Sequence, residues 1–134
     1  MSIGSKTYVF DPIRKKNVIL TPEEMTRQLL IHYLIEDCNY RPAMIQVEKA
    51  IEVNGFVRRY DLIVFNKSFQ PFLLVECKSH KIKIRQATFD QITRYNLSLK
   101  VDYLLITNGM EHHGYKIDYD LKKANPISTL PDFK

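Results

Sequence analysis

Two neighbouring segments that are apolar on both faces constrain the fold of this chain more than any other feature. Residues Phe56 to Phe65 end in Leu-Ile-Val-Phe, and residues Phe72 to Lys78, preceded by Pro71, begin with Phe-Leu-Leu-Val. A strand whose two faces are both apolar lies in a sheet that is covered on both sides. We therefore expect these segments to be strands of a central sheet flanked by helices.

The segments around this pair predict the remaining elements. Thr21 supplies a helix cap and Glu24 an acid three residues later, so a helix should begin here and fade between Asp37 and Asn39. The other predicted elements are the strands Met44 to Val53 and Val101 to Thr107 and the helix Gln86 to Leu99. Asn54-Gly55 is typical of a two-residue hairpin turn. The order α-β-β-β-α-β indicates an α/β fold with a mixed sheet.

The same patterns predict the buried helix faces and the regions outside this core. The inward stripe of the first helix is expected to contain Met25, Leu29, Leu30, Tyr33 and Leu34. The stripe of the second helix is expected to contain Phe89, Ile92 and Leu99. Outside the core we expect an extended lead-in over Tyr8 to Leu20 with a turn at Asp11-Pro12, an edge strand over His113 to Tyr119, and an irregular tail from Asn125 to Lys134.

Length and composition limit the class of protein. A chain of 134 residues without a repeat or linker is expected to form one domain over residues 1–134. It has no apolar run of membrane-spanning length and no signal-peptide pattern, so a cytoplasmic protein is expected, with no membrane contact. Cys38 and Cys77 are predicted to be reduced packing residues, and His112-His113 alone does not make a zinc site. The net charge of +5 is compatible with a polyanionic partner.

Charged residues on the two apolar strands indicate a functional site. Glu76 and Lys78 are two residues apart, so their side chains leave the same face of the strand while Cys77 faces the other way. Asp61 lies 15 residues before Glu76 on the preceding strand, and Arg59 shares its face. If the two strands are neighbours, Asp61 and Glu76 can converge on one point.

Two carboxylates side by side in half-buried strands need compensation. Each desolvated ion is unfavourable, and the pair adds repulsion. A divalent cation such as Mg²⁺ or Mn²⁺ relieves both because it prefers oxygen ligands. Lys78 could then position a water or stabilise charge on a phosphate. A surface ion pair would explain Glu76 and Lys78 by themselves, but the apolar run before them and the Arg59-Tyr60-Asp61 segment favour a site.

Six stretches of the chain form an ordered set: Leu20-Thr21-Pro22-Glu23-Glu24 with Arg27-Gln28, Val47-Glu48, Arg59-Tyr60-Asp61, Val75-Glu76-Cys77-Lys78, Gln91-Ile92-Thr93-Arg94-Tyr95 and Thr107-Asn108-Gly109. Together they resemble the PD-(D/E)xK nuclease superfamily, and more narrowly the N-terminal nuclease domain of type I restriction enzyme R subunits (HsdR-N-like). The resemblance covers roughly residues 8 to 130. It implies a restriction-endonuclease-like αβββαβ core, with a mixed central sheet flanked by helices.

The resemblance also implies roles for individual residues. The implied Mg²⁺ ligands are Asp61, Glu76 and the carbonyl group of Cys77. Lys78 would be the catalytic lysine. Gln91 and Tyr95 match a Gln-x-x-x-Tyr element that helps to order the site and the DNA, and they share a helix face because they are four residues apart. Without the family, a solvated Gln91 and a core Tyr95 explain the spacing equally well.

Many relatives have a further site glutamate on the first helix. Glu24 is the candidate in this chain, because it shares a helix face with Arg27 and Gln28. A capping role at the start of the helix explains Glu24 equally well. Glu23 and Glu48 remain open as alternatives.

A basic segment follows the third predicted strand. Lys81, Lys83 and Arg85 alternate with isoleucines, so an extended chain would place three cations on one side. Such a row can contact phosphates without reading the base sequence, whereas the alternative is a solvated loop. The residues that could extend the row are Arg58, Arg59 and Arg94.

These observations favour a Mg²⁺-dependent endonuclease that hydrolyses DNA by in-line attack of water on a backbone phosphate, with Mn²⁺ as an alternative ion. The chain has no GxxxxGK[ST] phosphate loop, so it would act alone, as a homodimer, or beside separate motor and specificity subunits. Two alternatives remain, a non-catalytic nucleic-acid-binding module and a structural subunit of a restriction or repair complex. A binding module has no need to keep two acids and a lysine together.

Overall fold

The computed structural model describes residues 2–3, 5–53, 55–85, 87, 99–121 and 123–131. Within these residues the chain forms an α-helix, α1 (Pro22–Glu36), a short 3-10 helix (Pro42–Met44) and nine strands. The strands are β1 (Ser2–Ile3), β2 (Lys6–Asp11), β3 (Lys16–Ile19), β4 (Ile45–Val53), β5 (Phe56–Phe65), β6 (Pro71–Cys77), β7 (Tyr103–Thr107), β8 (His112–Asp118) and β9 (Lys123–Ile127). No helix in this described part is long and apolar enough to cross a membrane.

The strands form two sheets. β1, β2 and β3 make a small antiparallel sheet. The main sheet has the order β4-β5-β6-β7-β8-β9, in which β6 and β7 pair in parallel and the other neighbours pair antiparallel. A parallel pair needs a long crossover connection, and residues 78–102 provide it. The mixed central sheet that the sequence predicts is therefore confirmed.

The four predicted core strands are confirmed to within two residues at either end. The predicted lead-in is a hairpin, in which β2 and β3 pair around a turn at residues 12–15. The predicted second helix, with Phe89 and Ile92, lies outside the described residues except for residues 87 and 99.

Helix α1 begins and ends where the sequence predicts. The hydroxyl of Thr21 accepts a hydrogen bond from the N–H of Glu24 at 3.1 Å, and Pro22 is the first helical residue. Asp37 is the C-cap residue, and Asn39, two residues later, adopts a φ of 58°. Asparagine tolerates this left-handed conformation better than most residues, so it suits the point where the chain leaves the helix.

The buried face of α1 differs from the predicted apolar stripe. Leu30 and Leu34 are buried as predicted. Three other members of the stripe are exposed, namely Met25 (44%), Leu29 (60%) and Tyr33 (45%). The residues that are buried in the first half of the helix are Glu24, Thr26, Arg27 and Gln28. The predicted stripe was therefore wrong at its three exposed positions. Ion pairs of Glu24 with Arg14 and of Arg27 with Asp61 compensate for burial of the two charged residues.

Apolar side chains cover the main sheet on both faces. Leu73 and Val75 of β6 belong to a buried cluster that includes Leu34 of α1. Leu74, which lies between them, belongs to a second cluster with Leu104 of β7. Because successive strand residues face opposite sides of a sheet, the two clusters lie on opposite faces.

The C-terminal region contains more sheet than the sequence predicts. β8 matches the predicted edge strand, but β9 pairs alongside it and is the outer strand. The predicted irregular tail from Asn125 was therefore wrong over its first residues. Pro126 lacks an N–H group, and an outer strand accommodates it because one of its edges carries no ladder partner.

Candidate functional site

The main sheet places two predicted site residues next to each other where the pairing of β5 and β6 ends. The last pair in the register is Leu62 with Val75. One position further, Asp61 lies across from Glu76. Oδ2 of Asp61 accepts a hydrogen bond from the backbone N–H of Cys77 at 2.8 Å. This contact fixes the carboxylate of Asp61 at the end of β6, beside Glu76.

Lys78 completes the predicted group of two acids and a base. Its Nζ lies 3.4 Å from Oε1 of Glu76, and about a quarter of each side chain is exposed. Burial raises the pKa of Glu76, and the neighbouring Asp61 carboxylate raises it further. Lys78 opposes this shift, but the pKa of Glu76 still rises to about 7. The positive charge around the acid pair is therefore too small to keep Glu76 ionised at its ordinary pKa.

Arg27 connects α1 to this acid pair. Its Nη1 donates to Oε1 of Glu24 at 2.8 Å, and its Nη2 lies 3.4 Å from Glu23 and 3.5 Å from Oδ1 of Asp61. The side chain of Arg27 is only 5% exposed. Burial lowers the pKa of Arg27, but neighbouring acids, first Glu24 and then Asp61, raise it, and the net shift is upward, so the guanidinium remains charged.

Glu24 lies at the centre of a buried ion-pair network. Its Oε1 accepts hydrogen bonds from Arg14 at 2.6 Å and Arg27 at 2.8 Å, and its Oε2 accepts one from Gln28 at 3.2 Å. Thr21 caps the backbone N–H of Glu24. The backbone N–H of Glu24 thus takes part in the helix cap, while its carboxylate pairs with Arg27 and so connects to the site. A polar cleft of about 490 Å³ beside the network is lined by residues 16–19, 21, 23, 24, 27 and 48.

The two other acids that the sequence left open also lie near these arginines. The half-exposed carboxylate of Glu23 contributes to the raised pKa of Glu76. Oε2 of Glu48 lies 3.5 Å from Nη1 of Arg14, and the β4–β5 register places Glu48 across from Asp61. The φ of Glu48 is 53°, a left-handed value that strains the backbone of a strand residue.

The donor set suits a divalent cation that keeps several of its waters. Mg²⁺ is commonly bound through one or two carboxylates while water completes its shell. Asp61 and Glu76 supply two partly exposed carboxylates. Burial and then the charge of Asp61 raise the pKa of Glu76, and a cation would compensate both effects. In the part of the chain that the structure describes, no three His, Cys, Asp or Glu residues form a fuller ligand cluster. The residues present therefore fit Mg²⁺ or Mn²⁺.

In the basic segment after β6, the side chains of all three predicted basic residues are exposed, namely Lys81, Lys83 and Arg85. The segment is not extended throughout, because the N–H of Ile82 donates to the carbonyl of Ser79 and closes a turn. The three cations therefore do not form one straight row. They lie on the connection that follows Lys78 directly.

Asn108 supports this basic segment from the loop after β7. Its Nδ2 donates to the carbonyl of Ile82 at 2.8 Å, and the carboxylate of Glu111 accepts from the N–H of Ile84 at 3.4 Å. The hydroxyl of Thr26 on α1 donates to the carbonyl of Asn108 at 3.2 Å. The buried Asn108 therefore links α1, the loop after β7 and the basic segment.

Of the remaining predicted site residues, the structure describes only Arg59 with its side chain. Arg59 is exposed on β5. The residues that lie outside the described part are Gln91, Arg94 and Tyr95, together with the side chain of Arg58. Sequence reasoning gave no role to Arg14, Arg27 or Asn108. The only local signal for Arg27 was its spacing of three residues from Glu24, which favours an ion pair on a helix.

Comparisons with known proteins agree with this fold. The family described as Type I restriction enzyme R protein N terminus (HSDR_N) matches residues 22–131. A solved fragment of a protein assigned as an HsdR subunit of a type I restriction enzyme from Vibrio vulnificus YJ016 superposes with a TM-score of 0.59, at 18% identity over 84% of this chain and 24% of that chain. No curated protein matches the sequence. The chain therefore belongs to the family of type I restriction enzyme R protein N-termini and has a restriction-endonuclease-like α/β fold.

Proposed function

We propose that this chain is a metal-dependent nuclease that hydrolyses DNA phosphodiester bonds. The observation that carries the proposal is the grouping of Asp61, Glu76 and Lys78 where β5 and β6 part. Membership of a restriction-enzyme family supports it, because restriction enzymes act on DNA. An acid whose pKa is shifted by burial and by a second acid is also typical of catalytic and metal-binding sites.

Each residue of the group has a distinct task in this proposal. Asp61 and Glu76 would hold Mg²⁺ or Mn²⁺, and the N–H of Cys77 orients Asp61 for that purpose. The carbonyl of Cys77 remains a predicted further ligand. The bound ion would supply Lewis-acid stabilisation of the phosphate as its charge grows. Lys78 would orient the attacking water and donate to the phosphate oxygens as they gain negative charge.

The surrounding residues would position the nucleic acid. Lys81, Lys83 and Arg85 are exposed immediately after the site and can contact backbone phosphates. Arg59 and Arg94 are proposed to add to this surface. Gln91 and Tyr95 are proposed to order the site, on the family resemblance alone. These contacts supply affinity without base specificity.

The proposal extends to partners. The chain spans about a quarter (24%) of the length of the Vibrio vulnificus HsdR fragment. We propose that this domain works as a homodimer or together with separate motor and specificity subunits. Light scattering on the purified chain distinguishes a monomer of 15.8 kDa from a dimer.

The decisive experiment is a cleavage assay on supercoiled plasmid DNA with Mg²⁺, with Mn²⁺ and with EDTA. The wild type should cut only with a divalent cation. Asp61→Ala, Glu76→Ala and Lys78→Ala should each lower the rate by a factor of about 100 or more. Matched controls are Glu36→Ala, a largely exposed acid at the end of α1, and Lys67→Ala in the turn after β5, and both should cut like wild type.

Two outcomes would contradict the proposal. Equal cutting by the wild type and the three site variants would indicate a contaminating nuclease. DNA binding without cleavage under any cation would favour the non-catalytic binding module instead.

A further inference from the structure

Arg27 has a position that its neighbours do not explain by themselves. It is buried, and its guanidinium lies between the helix acids and Asp61. Nη1 is held by Glu24 at 2.8 Å, whereas the contacts of Nη2 with Glu23 and Asp61 are longer, at 3.4 and 3.5 Å. Glu24 therefore holds one half of the guanidinium by a short hydrogen bond, and the other half makes longer contacts with Glu23 and Asp61.

The charges of the network indicate which acid needs Arg27. Glu24 has a second and shorter partner in Arg14, at 2.6 Å. Glu76 has Lys78 at 3.4 Å. Among the described residues, Arg27 supplies the side-chain cation that contacts Asp61. Its Nε is buried without a hydrogen-bond partner in the same part of the chain, so the guanidinium is not fully satisfied where it lies.

We propose that Arg27 is a positioning residue that pairs with Asp61 and would compete with a divalent cation for this carboxylate. The inference rests on the proposed function, because it assigns Asp61 to the cation. Each strand acid has its own basic partner, Arg27 for Asp61 and Lys78 for Glu76. Cation affinity is accordingly set by competition with Arg27.

This competition has a measurable consequence. A unit positive charge within about 5 Å of a divalent ion opposes binding even in a medium of high dielectric constant. Removal of that charge should therefore strengthen cation binding by about tenfold. The same substitution should lower the folding stability of the protein in EDTA, because Asp61 and Glu23 lose their ion-pair partner.

Titration calorimetry with MnCl₂ and no DNA tests the proposal without reference to activity. Arg27→Gln should bind Mn²⁺ about tenfold more tightly than wild type. Arg27→Lys keeps the charge but loses the second Nη group that reaches Asp61. Its affinity for Mn²⁺ should therefore lie between those of the wild type and Arg27→Gln. Arg14→Gln removes the same charge from Glu24 without a contact to Asp61, and its affinity should change by less than about threefold.

The outcomes separate this proposal from the proposed function. Wild-type affinity in both Arg27 variants would overturn the role of Arg27 and leave the nuclease proposal standing. An equal gain in Arg14→Gln and Arg27→Gln would also overturn it, since net charge and not contact with Asp61 would then matter. Absence of Mn²⁺ binding in every variant would overturn both proposals. If Arg27→Gln fails to fold, Arg27→Lys decides, because tighter binding than wild type supports the competition.

Discussion

At the scale of single residues, the buried Asp11 and the partly buried Glu76 have pKa values that shift in opposite directions. Burial raises the pKa of Asp11, but hydrogen bonds from Arg14 and from the N–H of Ile13 outweigh it, and the net shift is downward. Burial and Asp61 raise the pKa of Glu76 to about 7, and Lys78 does not offset them. The surrounding residues thus stabilise the ionised carboxylate of Asp11, whereas they disfavour that of Glu76. The proposed divalent cation would supply the positive charge that Glu76 lacks.

The substitution Glu76→Gln should therefore stabilise the metal-free protein at alkaline pH. The folded pKa of Glu76, about 7, lies above its ordinary value of 4.5. The associated stability is present below about pH 4.5 and is lost as the pH rises through about 7. In EDTA at pH 8 we expect the variant to be more stable by roughly 1 to 3 kcal/mol, and this advantage should vanish at about pH 4, below the ordinary pKa. Urea unfolding at both pH values measures the difference.

Glu36→Gln provides the matched control for this prediction. Glu36 is largely exposed at the end of α1, so the same chemical change there should alter stability little at either pH. A Glu76→Gln variant that is no more stable than wild type at pH 8 would show that the folded protein does not disfavour the ionised carboxylate. Excess Mn²⁺ should in turn stabilise the wild type more than the variant.

At the scale of elements, α1 serves two different purposes along its length. Its second half packs Leu30 and Leu34 into the core. Its first half carries Arg27, which pairs with Asp61 of β5, and Glu24, which shares Arg14 with Glu48 of β4. The start of the helix is therefore the part whose position matters most for the site. The Thr21 cap fixes that start.

We expect Thr21→Ala to destabilise the protein by about 1 kcal/mol. The hydroxyl of Thr21 accepts the N–H of Glu24 at 3.1 Å, and alanine leaves this donor without its cap. Thr21→Ser keeps the hydroxyl and should retain nearly all of the stability. Urea unfolding of the three proteins measures both effects. Equal loss in the serine and alanine variants would indicate that the threonine methyl group matters and not the cap.

The elements differ in how far the sequence predicts them. The core strands could be predicted because Asn54-Gly55 and Pro71 mark boundaries between them and because β5, β6 and β7 each contain a run of four apolar residues. The inward face of α1 could not, because the buried Arg27 pairs with Asp61, 34 residues later in the chain, as well as with the nearby Glu24. β9 was missed because proline argues against a strand unless the strand is known to be at an edge.

At the scale of the whole molecule, the predicted acids and lysine of the site lie beside an exposed basic segment. Asp61, Glu76 and Lys78 could be predicted from spacing on adjacent strands, since neighbouring strands bring such residues together. The support for the basic segment could not, because Asn108 reaches Ile82 across 26 residues of chain. With a net charge of +5, the chain is basic, and this segment presents part of that charge next to the acids.

The salt dependence of DNA binding tests whether this segment, and not the net charge, contacts phosphates. In EDTA, Lys81→Ala/Lys83→Ala should weaken binding about equally for unrelated DNA sequences and reduce the slope of log affinity against log salt by about 2, because two phosphate contacts are lost. Lys67→Ala/Lys123→Ala removes the same charge from exposed positions at the opposite end of the main sheet. Anisotropy titrations with a labelled duplex at several salt concentrations measure both slopes. The control should keep the wild-type slope, and an equal reduction in both double variants would assign binding to net charge alone.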